Sequence, residues 1–462
     1  MPDTTIIQLS CSEKRGNQGS SFFTATQLVK HLSSLPGWGN YSKDDEFFIR
    51  NLPKIELHVH FDGSFDPDFL WDYLQKNPTV LDFLPIQMDL PWQPGEVLKV
   101  RELVQQCHTS SDFLALCTCR GSHSLNAMLN CFKTFLPLVT NQLDLLEELA
   151  YDFCKRQWQQ NIIYTEVRYS PFLLAEPAQK DYSIKDVDER ALNVFHAITR
   201  GLRRGTSTFG IEVNQILSAF TWRPDWASKT IELVVQHLHD FPCATVGVDI
   251  AAGEEHFDRE TFPELHHPHF EMTRKAKSIG VPVTIHAGEF DPTSPGLNHL
   301  QLAIEQYGAS RIGHGYRAVD TTGILDLVKQ RNIHLEVCPT SSDETGGWHH
   351  NSDRNWKNHP VVALARTQVS LSLNTDDPAV FHTSLSWQYR IALAKMGLDK
   401  KFILQSNLNA VEAAFCPSED KRRLRSKLEQ YVQGTTPLLE DPPVQFLDRV
   451  YMKLPDTEVI RL

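Results

Sequence analysis

Several features that would place a protein in a specialised class are missing from this sequence. No apolar run approaches the roughly 18–20 residues that a membrane crossing requires. The N-terminus contains neither the basic segment nor the apolar core of a secretory signal. We therefore expect a protein that has no membrane span and works in the cytoplasm.

Cysteine is present but lacks the spacing of a framework. The nine cysteines are an odd number and follow no regular pattern, so they do not predict a set of disulfides. Four of them gather near His108 and His123 without forming the Cys-x-x-Cys pairs that hold structural zinc: Cys107, Cys117, Cys119 and Cys131. We expect reduced thiols there.

Nucleotide-binding signatures are also missing. The sequence has no Gly-x-Gly-x-x-Gly after its first predicted strand and no Gly-x-x-x-x-Gly-Lys-Ser/Thr. Its formal charge of −12 disfavours a polyanionic partner such as DNA. What remains is a globular composition, with 41% hydrophobic and 22% charged residues in a chain of 462. This composition favours a small, neutral or weakly charged ligand.

Strand and helix patterns alternate along most of the chain. Eight strand candidates, most of them followed by an amphipathic helix, predict a closed (β/α)8 barrel with additional helices. A doubly wound open sheet is the alternative. The first strand lies within 53–64, and the others are Ile162–Tyr169, Gly210–Ser218, Ala244–Ile250, Val281–His286, Arg311–Gly313, His334–Val337 and Val369–Leu373.

Less regular segments are expected at both ends of the barrel domain, which we place at 46–435. Residues 1–45 predict a loosely ordered extension with one short helix around Phe23–Leu32, and residues 436–462 predict a tail. The stretch 77–98 holds four prolines and predicts a surface loop. Apolar residues at three-and-four spacing predict helix throughout 110–160.

The first strand carries two histidines on one side. Ile55, Leu57 and Val59 alternate with polar residues, so His58 and His60 point the same way. Phe61-Asp-Gly-Ser64 then ends the strand with turn chemistry. His-x-His alone also occurs on ordinary edge strands. It becomes informative because it lies at a carboxyl end, where barrels bind their ligands.

Three further strand ends carry similar polar groups. The fifth strand ends in His286 with Glu289 three residues later, the sixth contains His314 between two glycines, and the eighth leads into Asp376 and Asp377. Each alone has an ordinary structural explanation. Together they predict a site with imidazole and carboxylate ligands for one divalent ion, and this ligand set favours zinc. Glu289 can then act as acid or base without binding the metal, and His314 or Asp377 can take a proton from water.

Four motifs, in order, resemble the signature segments of the adenosine deaminase family: His58-Val-His60, Thr284-Ile-His-Ala-Gly-Glu289, Ile312-Gly-His-Gly315 and Ser372-Leu-Asn-Thr-Asp-Asp-Pro378. Weaker matches are Glu166-Val-Arg-Tyr-Ser-Pro171, Asp249-Ile-Ala-Ala-Gly-Glu254 and Glu336-Val-Cys-Pro-Thr-Ser-Ser342. The likeness runs from about residue 45 to about residue 430. It implies the barrel of the metal-dependent hydrolases and hydrolytic deamination of adenosine, and of 2′-deoxyadenosine, to inosine and ammonia.

The resemblance also implies roles for individual residues. It gives one zinc per chain the ligands His58, His60, His286 and Asp376. It implies that Glu289 protonates purine N1, and that His314 and Asp377 hold and activate the zinc hydroxide that attacks C6. The family also implies that Asp62 contacts the ribose 5′-hydroxyl and that the Gly253 backbone contacts purine N3. It further implies that His60 contacts the substrate and that Ser170 supports the pocket.

Some alternatives stay open, and others are excluded. AMP, an N6-substituted AMP, adenine, or nucleoside binding without turnover would suit the same residues. Asp249-Ile-Ala-Ala-Gly253 has one residue more than the common family pattern. Cytidine-type zinc deaminases need Pro-Cys-x-x-Cys, which is absent. The fourth strand, Thr245–Ile250, lacks the lysine that a binuclear amidohydrolase would carry. We expect a purine nucleoside substrate, no nucleic acid partner, and a monomer, with an oligomer left open.

Overall fold

The protein is described by a computed structural model over residues 25–35, 37–38, 41–83, 88–89, 97–121, 123–176, 186–254, 263–289, 299–320, 323–348 and 355–436. Its centre is an eight-stranded parallel sheet whose strand order follows the chain. We label the strands β1 to β8: Lys54–His60, Ile162–Tyr169, Glu212–Phe220, Thr245–Ala251, Val283–Ala287, Arg311–His314, His334–Val337 and Leu371–Leu373.

The sheet closes on itself through backbone hydrogen bonds between β1 and the residues after β8. The N–H of Asp376 donates to the carbonyl of His58 at 3.1 Å, and the N–H of His60 donates to the carbonyl of Asp376 at 2.8 Å. An open sheet would leave these two edges unpaired. The predicted (β/α)8 barrel is therefore confirmed, and the open-sheet alternative is wrong.

Helices surround the barrel and follow the strands. Val187–Phe209 shows why they form: Asp186 caps its first turn, its buried residues recur at three-and-four spacing, and Gly210 ends it with a φ of 67°. The α-helices are Ala25–Ser33, Lys43–Asn51, Pro67–Lys76, Val100–Gln105, Ser110–Cys117, Leu125–Val139, Leu143–Gln159, Pro171–Ala175, Val187–Phe209, Pro224–Gln236, Pro263–Ser278, His299–Glu305, Ile324–Gln330, Pro339–Glu344, Pro360–Ala365, Leu385–Ala394, Lys400–Ala413 and Ser418–Val432.

Several local predictions can be compared with these elements. The helix expected around Phe23–Leu32 spans Ala25–Ser33, with Leu28 and Leu32 buried in the core. The helical stretch 110–160 is divided into three helices. The loop prediction over 77–98 is wrong at Pro78–Phe83, which forms a 3-10 helix, and at 88–89 and 97–98, which pair as short antiparallel strands. Two further 3-10 helices in the described part of the chain are Tyr316–Val319 and Trp356–Asn358.

Residues 1–24 and 437–462 lie outside the described part, so the predicted extension and tail stay predictions over most of their length. The eight cysteines within the described residues are free, as expected. In the same part of the chain, no helix combines the length and the apolar composition needed to cross a membrane.

Candidate active site

The carboxyl ends of parallel strands meet at one rim of a barrel, where this fold carries its chemistry. Ligand atoms of four side chains lie within 4.8 Å of one another, and three form a second such group that shares one member. The first group is His58, His286, His314 and Asp376, and the second is His60, Asp376 and Asp377. The structure thus brings together residues that the sequence placed on four different strand ends.

Three distances in this cluster match the edges of a zinc coordination shell. Nε2 of His60 lies 3.1 Å from Nε2 of His286. Oδ1 of Asp376 lies 3.1 Å from Nε2 of His58 and 3.3 Å from Nε2 of His60. Tetrahedral zinc with bonds of about 2.0–2.1 Å separates its ligand atoms by about 3.3 Å. The three pairs measured among these four side chains therefore have the spacing of ligands on a single zinc ion.

Two buried carboxylates hold the imidazoles by their other ring nitrogens. Nδ1 of His58 lies 2.9 Å from Oε2 of Glu336, and Nδ1 of His286 lies 3.1 Å from Oδ1 of Asp249. An ionised carboxylate only accepts hydrogen bonds, so each Nδ1 carries the proton and each Nε2 presents its lone pair. The donor set thus fits zinc in chemistry as well as in spacing.

Buried charges below the cluster keep these carboxylates ionised. Glu336 also accepts from Nη2 of Arg168 at 2.6 Å and from Nε of Arg311 at 2.5 Å. Burial alone would raise the pKa of Glu336, but the two guanidinium groups hold that pKa well below its ordinary value. Burial likewise opposes ionisation of Asp249, and His286 and Arg168 outweigh it, so the pKa of Asp249 is lowered.

Two of the clustered residues have a backbone conformation that is rare for residues with a side chain. The φ angle is 67° at His314 and 66° at Asp376. Such left-handed residues cost of the order of 1–3 kcal/mol and concentrate at functional sites. Beside them, a Cβ built on Gly313 would lie 2.7 Å from Cε1 of His58. A side chain at position 313 would therefore collide with the His58 ring.

Glu289, the predicted acid/base, lies next to this cluster. Its Oε2 is 3.5 Å from Nε2 of His314. Burial lowers the pKa of His314 well below its ordinary value, which favours a neutral imidazole. The turn that carries Glu289 is held by Glu254, whose two oxygens accept the backbone N–H groups of Gly288 at 2.6 Å and of Glu289 at 2.9 Å. The same Glu254 carboxylate lies 2.8 Å from Nδ1 of His299.

Asp62 and Asp377 add two buried carboxylates at this rim. Within the described residues, Oδ1 of each has no hydrogen-bond partner. Burial raises the pKa of Asp62, and burial together with the neighbouring Asp376 raises the pKa of Asp377 well above its ordinary value. A Cβ built on Gly63 would lie 1.8 Å from Oδ1 of Asp377, so the turn after β1 packs directly on that side chain. Buried oxygens of this kind accept hydrogen bonds from water or from a ligand.

Ser170 and Gly253 lie just after β2 and β4, at the same end of the barrel. The buried hydroxyl of Ser170 makes no hydrogen bond to any described residue. Ala252 and Gly253 have φ angles of 61° and 88°. The loop after β4 thus contains two successive left-handed residues. The Thr221 hydroxyl donates to the Gly253 carbonyl at 3.0 Å.

The residues that orient the site are not among the predicted site residues. The segments containing Asp249, Glu254 and Glu336 resemble family motifs, but the motifs predict no role for these carboxylates. A signal existed, because Glu336 and Asp249 interrupt apolar strands and both are fully buried. A buried carboxylate on a barrel strand needs a cationic or N–H partner. The identity of that partner could not be obtained from the local pattern.

The family model described as Adenosine deaminase matches residues 105–431, more than half of the chain. The chain belongs to the adenosine deaminase family. Curated relatives agree over a longer span. The adenosine deaminase of Xenopus tropicalis is 30% identical over 380 residues, which cover 82% of this chain and 95% of that protein. The Bos taurus adenosine deaminase is 30% identical, covering 81% and 93%.

Solved structures share the fold at lower identity. A zinc-bound amidohydrolase from Burkholderia ambifaria has a TM-score of 0.64 and 21% identity, covering 85% of this chain and 93% of its own. The N6-methyl-AMP deaminase of Arabidopsis thaliana has a TM-score of 0.61 and 22% identity, covering 84% and 99%. At these identities the likeness shows the barrel alone.

The family assignment confirms what the four motifs predicted about the class of the protein. It is a zinc-dependent aminohydrolase that acts on purine compounds, and the His/Asp cluster is the part of the structure able to hold the metal.

Proposed function

We propose that this protein removes the amino group of adenosine and 2′-deoxyadenosine by hydrolysis, releasing the inosine product and ammonia. The observation that carries the proposal is the cluster at the carboxyl rim, where three pairs of ligand atoms have zinc spacing and Glu289 lies beside His314. Membership of the adenosine deaminase family supports the choice of substrate.

The proposed metal ligands are His58, His60, His286 and Asp376. His314 is also near, but its Nε2 lies beside Glu289, which suits a role in proton transfer better than coordination. A zinc ion held here would supply Lewis-acid activation of a water molecule near neutral pH.

The remaining roles belong to residues of this chain. Glu289 donates a proton to purine N1, which draws electron density away from C6 and favours addition of the water oxygen there. His314 and Asp377 orient that water and accept its proton. That proton then reaches the C6 amino group, and the C6–N bond breaks to release ammonia. The proton of the added hydroxyl passes to Glu289 as the C6 carbonyl of inosine forms, which restores the acid. We also propose that the Gly253 backbone contacts purine N3 and that Ser170 supports the pocket.

Asp62 supports a nucleoside over a nucleotide. Its buried Oδ1 has no hydrogen-bond partner within the described residues and can accept a hydrogen bond from the 5′-hydroxyl of ribose. A 5′-phosphate would place negative charge beside the carboxylate, and the segment Phe61–Phe65 offers no lysine or arginine to neutralise it.

Steady-state ultraviolet assays of adenosine and AMP with the parent and the Asp62→Asn variant test this. We expect the parent to prefer adenosine strongly. The variant should lose about tenfold or more in kcat/KM on adenosine, which corresponds to about 1.4 kcal/mol. The ratio of kcat/KM on adenosine to kcat/KM on AMP should be smaller in the variant than in the parent. A zinc chelator should abolish turnover. Equal rates on adenosine and AMP would favour the nucleotide, and binding without turnover would favour a nucleoside-binding barrel. The monomeric state, the cytoplasmic location and the domain limits stay predictions.

A further inference from the structure

A second concave surface lies at the opposite end of the barrel from the catalytic cluster. It is a cavity of about 850 Å³. Val283, Arg311 and His334, the first residues of β5, β6 and β7, line it together with Ser370 just before β8. Because the strands are parallel, their amino ends face away from the catalytic rim.

The charge of this cavity is opposite to that of the chain as a whole. Lys277, Lys329 and Lys421 line it, and Glu412 is the acidic residue in the lining. Arg311 also lines it, but its charge is balanced by the buried carboxylates of Glu166 and Glu336. Glu412 already forms an ion pair with Arg425. Within the described residues, no carboxylate lies at ion-pair distance from the lysines at 277 or 329. A chain with a formal charge of −12 thus carries a concentrated positive cavity.

Arg311 gives this cavity a rigid, buried edge. Its side chain is 1% exposed, its Nη1 donates to Glu166 at 2.5 Å, and its guanidinium lies 3.7 Å from the ring centroid of Phe415. Its Nη2 has no hydrogen-bond partner among the described residues. Apolar walls that include Phe415 and Ile333, with a few basic groups between them, are typical of small-ligand sites of about 300–1,000 Å³.

We propose that this cavity is a binding site for a small phosphate-bearing molecule of nucleotide size, separate from the catalytic rim. Among the residues that the structure describes, no carboxylate pairs with the lysines at 277 and 329, so their charge is available to an anionic ligand. The volume exceeds what an inorganic ion needs and suits a molecule with an organic part against the apolar wall. The proposal does not depend on which purine compound the enzyme deaminates.

Calorimetric titration of the zinc-loaded full chain at constant ionic strength tests the site. The probe is uridine 5′-diphosphate, with uridine as the control without phosphate, because neither carries the purine that the catalytic rim is proposed to take. We expect one diphosphate per chain, and binding of uridine at least about tenfold weaker.

The double variant Lys277→Glu/Lys329→Glu assigns the binding to the cavity. It should weaken binding of the diphosphate by about tenfold or more and leave kcat/KM on adenosine within about twofold. The matched control is Lys76→Glu/Lys155→Glu, which reverses two exposed lysines outside the cavity and should bind the diphosphate like the parent. Absence of binding to the parent, or equal binding to both double variants, would overturn the site. If the parent binds the diphosphate but does not turn over adenosine, only the proposed function is overturned.

Discussion

Glu254 holds Glu289 by the backbone: its two carboxylate oxygens accept the N–H groups of Gly288 and of Glu289, at 2.6 and 2.9 Å. An ionised carboxylate can accept both bonds, whereas an amide can accept only with its oxygen. Glu254 is therefore a positioning residue for the proposed acid/base.

Glu254→Gln should lower kcat on adenosine by about 10- to 100-fold, because a small misplacement of a reacting group is costly. The zinc content should not change, since the hydrogen bonds described for Glu254 go to Gly288, Glu289 and His299 and not to a proposed metal ligand. Steady-state kinetics with metal analysis checks this, with the exposed Glu264→Gln as the control. Unchanged kcat would mean that the turn holds its conformation without Glu254.

Glu289→Gln should retain zinc and lose about 10²–10⁴-fold in turnover, because glutamine preserves the shape but cannot donate the proton to N1. The measurement is kcat for adenosine together with zinc content. Activity within a few-fold of the parent would remove Glu289 from the acid role. The Glu264→Gln variant again serves as a control, because its side chain is exposed on the helix Pro263–Ser278.

Asp249→Asn should weaken zinc binding about 10- to 100-fold, as expected when the partner of a metal-binding histidine is removed. Asp249 fixes the Nδ1 proton of His286, and an asparagine can present its NH₂ group to that nitrogen instead. Competition with a chelator measures the affinity. The control is Ser218→Ala, which removes only the hydroxyl that donates to the other oxygen of Asp249 at 3.0 Å. Equal zinc affinity in parent and Asp249→Asn would contradict this orienting role.

The buried ion pairs of Glu46 predict a contribution to the stability of the fold that depends on pH. The Glu46 side chain, in the helix Lys43–Asn51, accepts from Arg390 at 2.8 and 2.9 Å and pairs with Arg50. Burial would raise the pKa of Glu46, but Arg390 and Arg50 lower it. A folded pKa below the unfolded value of about 4.3 stabilises the fold above that pH, and this contribution is lost as the pH falls below it.

Glu46→Gln should therefore lower the free energy of unfolding by about 3–5 kcal/mol at pH 7, because it leaves a buried guanidinium without its carboxylate. The difference from the parent should shrink below about pH 4. Urea unfolding at several pH values checks this, with the exposed Glu189→Gln as the control. A difference that is constant with pH would show that the charge of Glu46 is not the cause.

The sequence by itself determined the barrel and the composition of the site. Alternation within β1 placed His58 and His60 on one side, and parallel strands brought the ends of β1, β5, β6 and β8 to the same rim. Both results follow from periodicity among near neighbours and from the direction of the strands. The resemblance to the adenosine deaminase family then supplied roles that this geometry left open.

Only the tertiary structure decided which groups orient those side chains. His58 and Glu336 are 278 positions apart, and Glu254 is 35 positions from the Glu289 N–H that it binds. Such pairs depend on the register between strands and on the path of the loops, which no local pattern encodes. The basic cavity at the other end has the same origin. Its lysines lie on separate helices and become one surface only when the barrel closes.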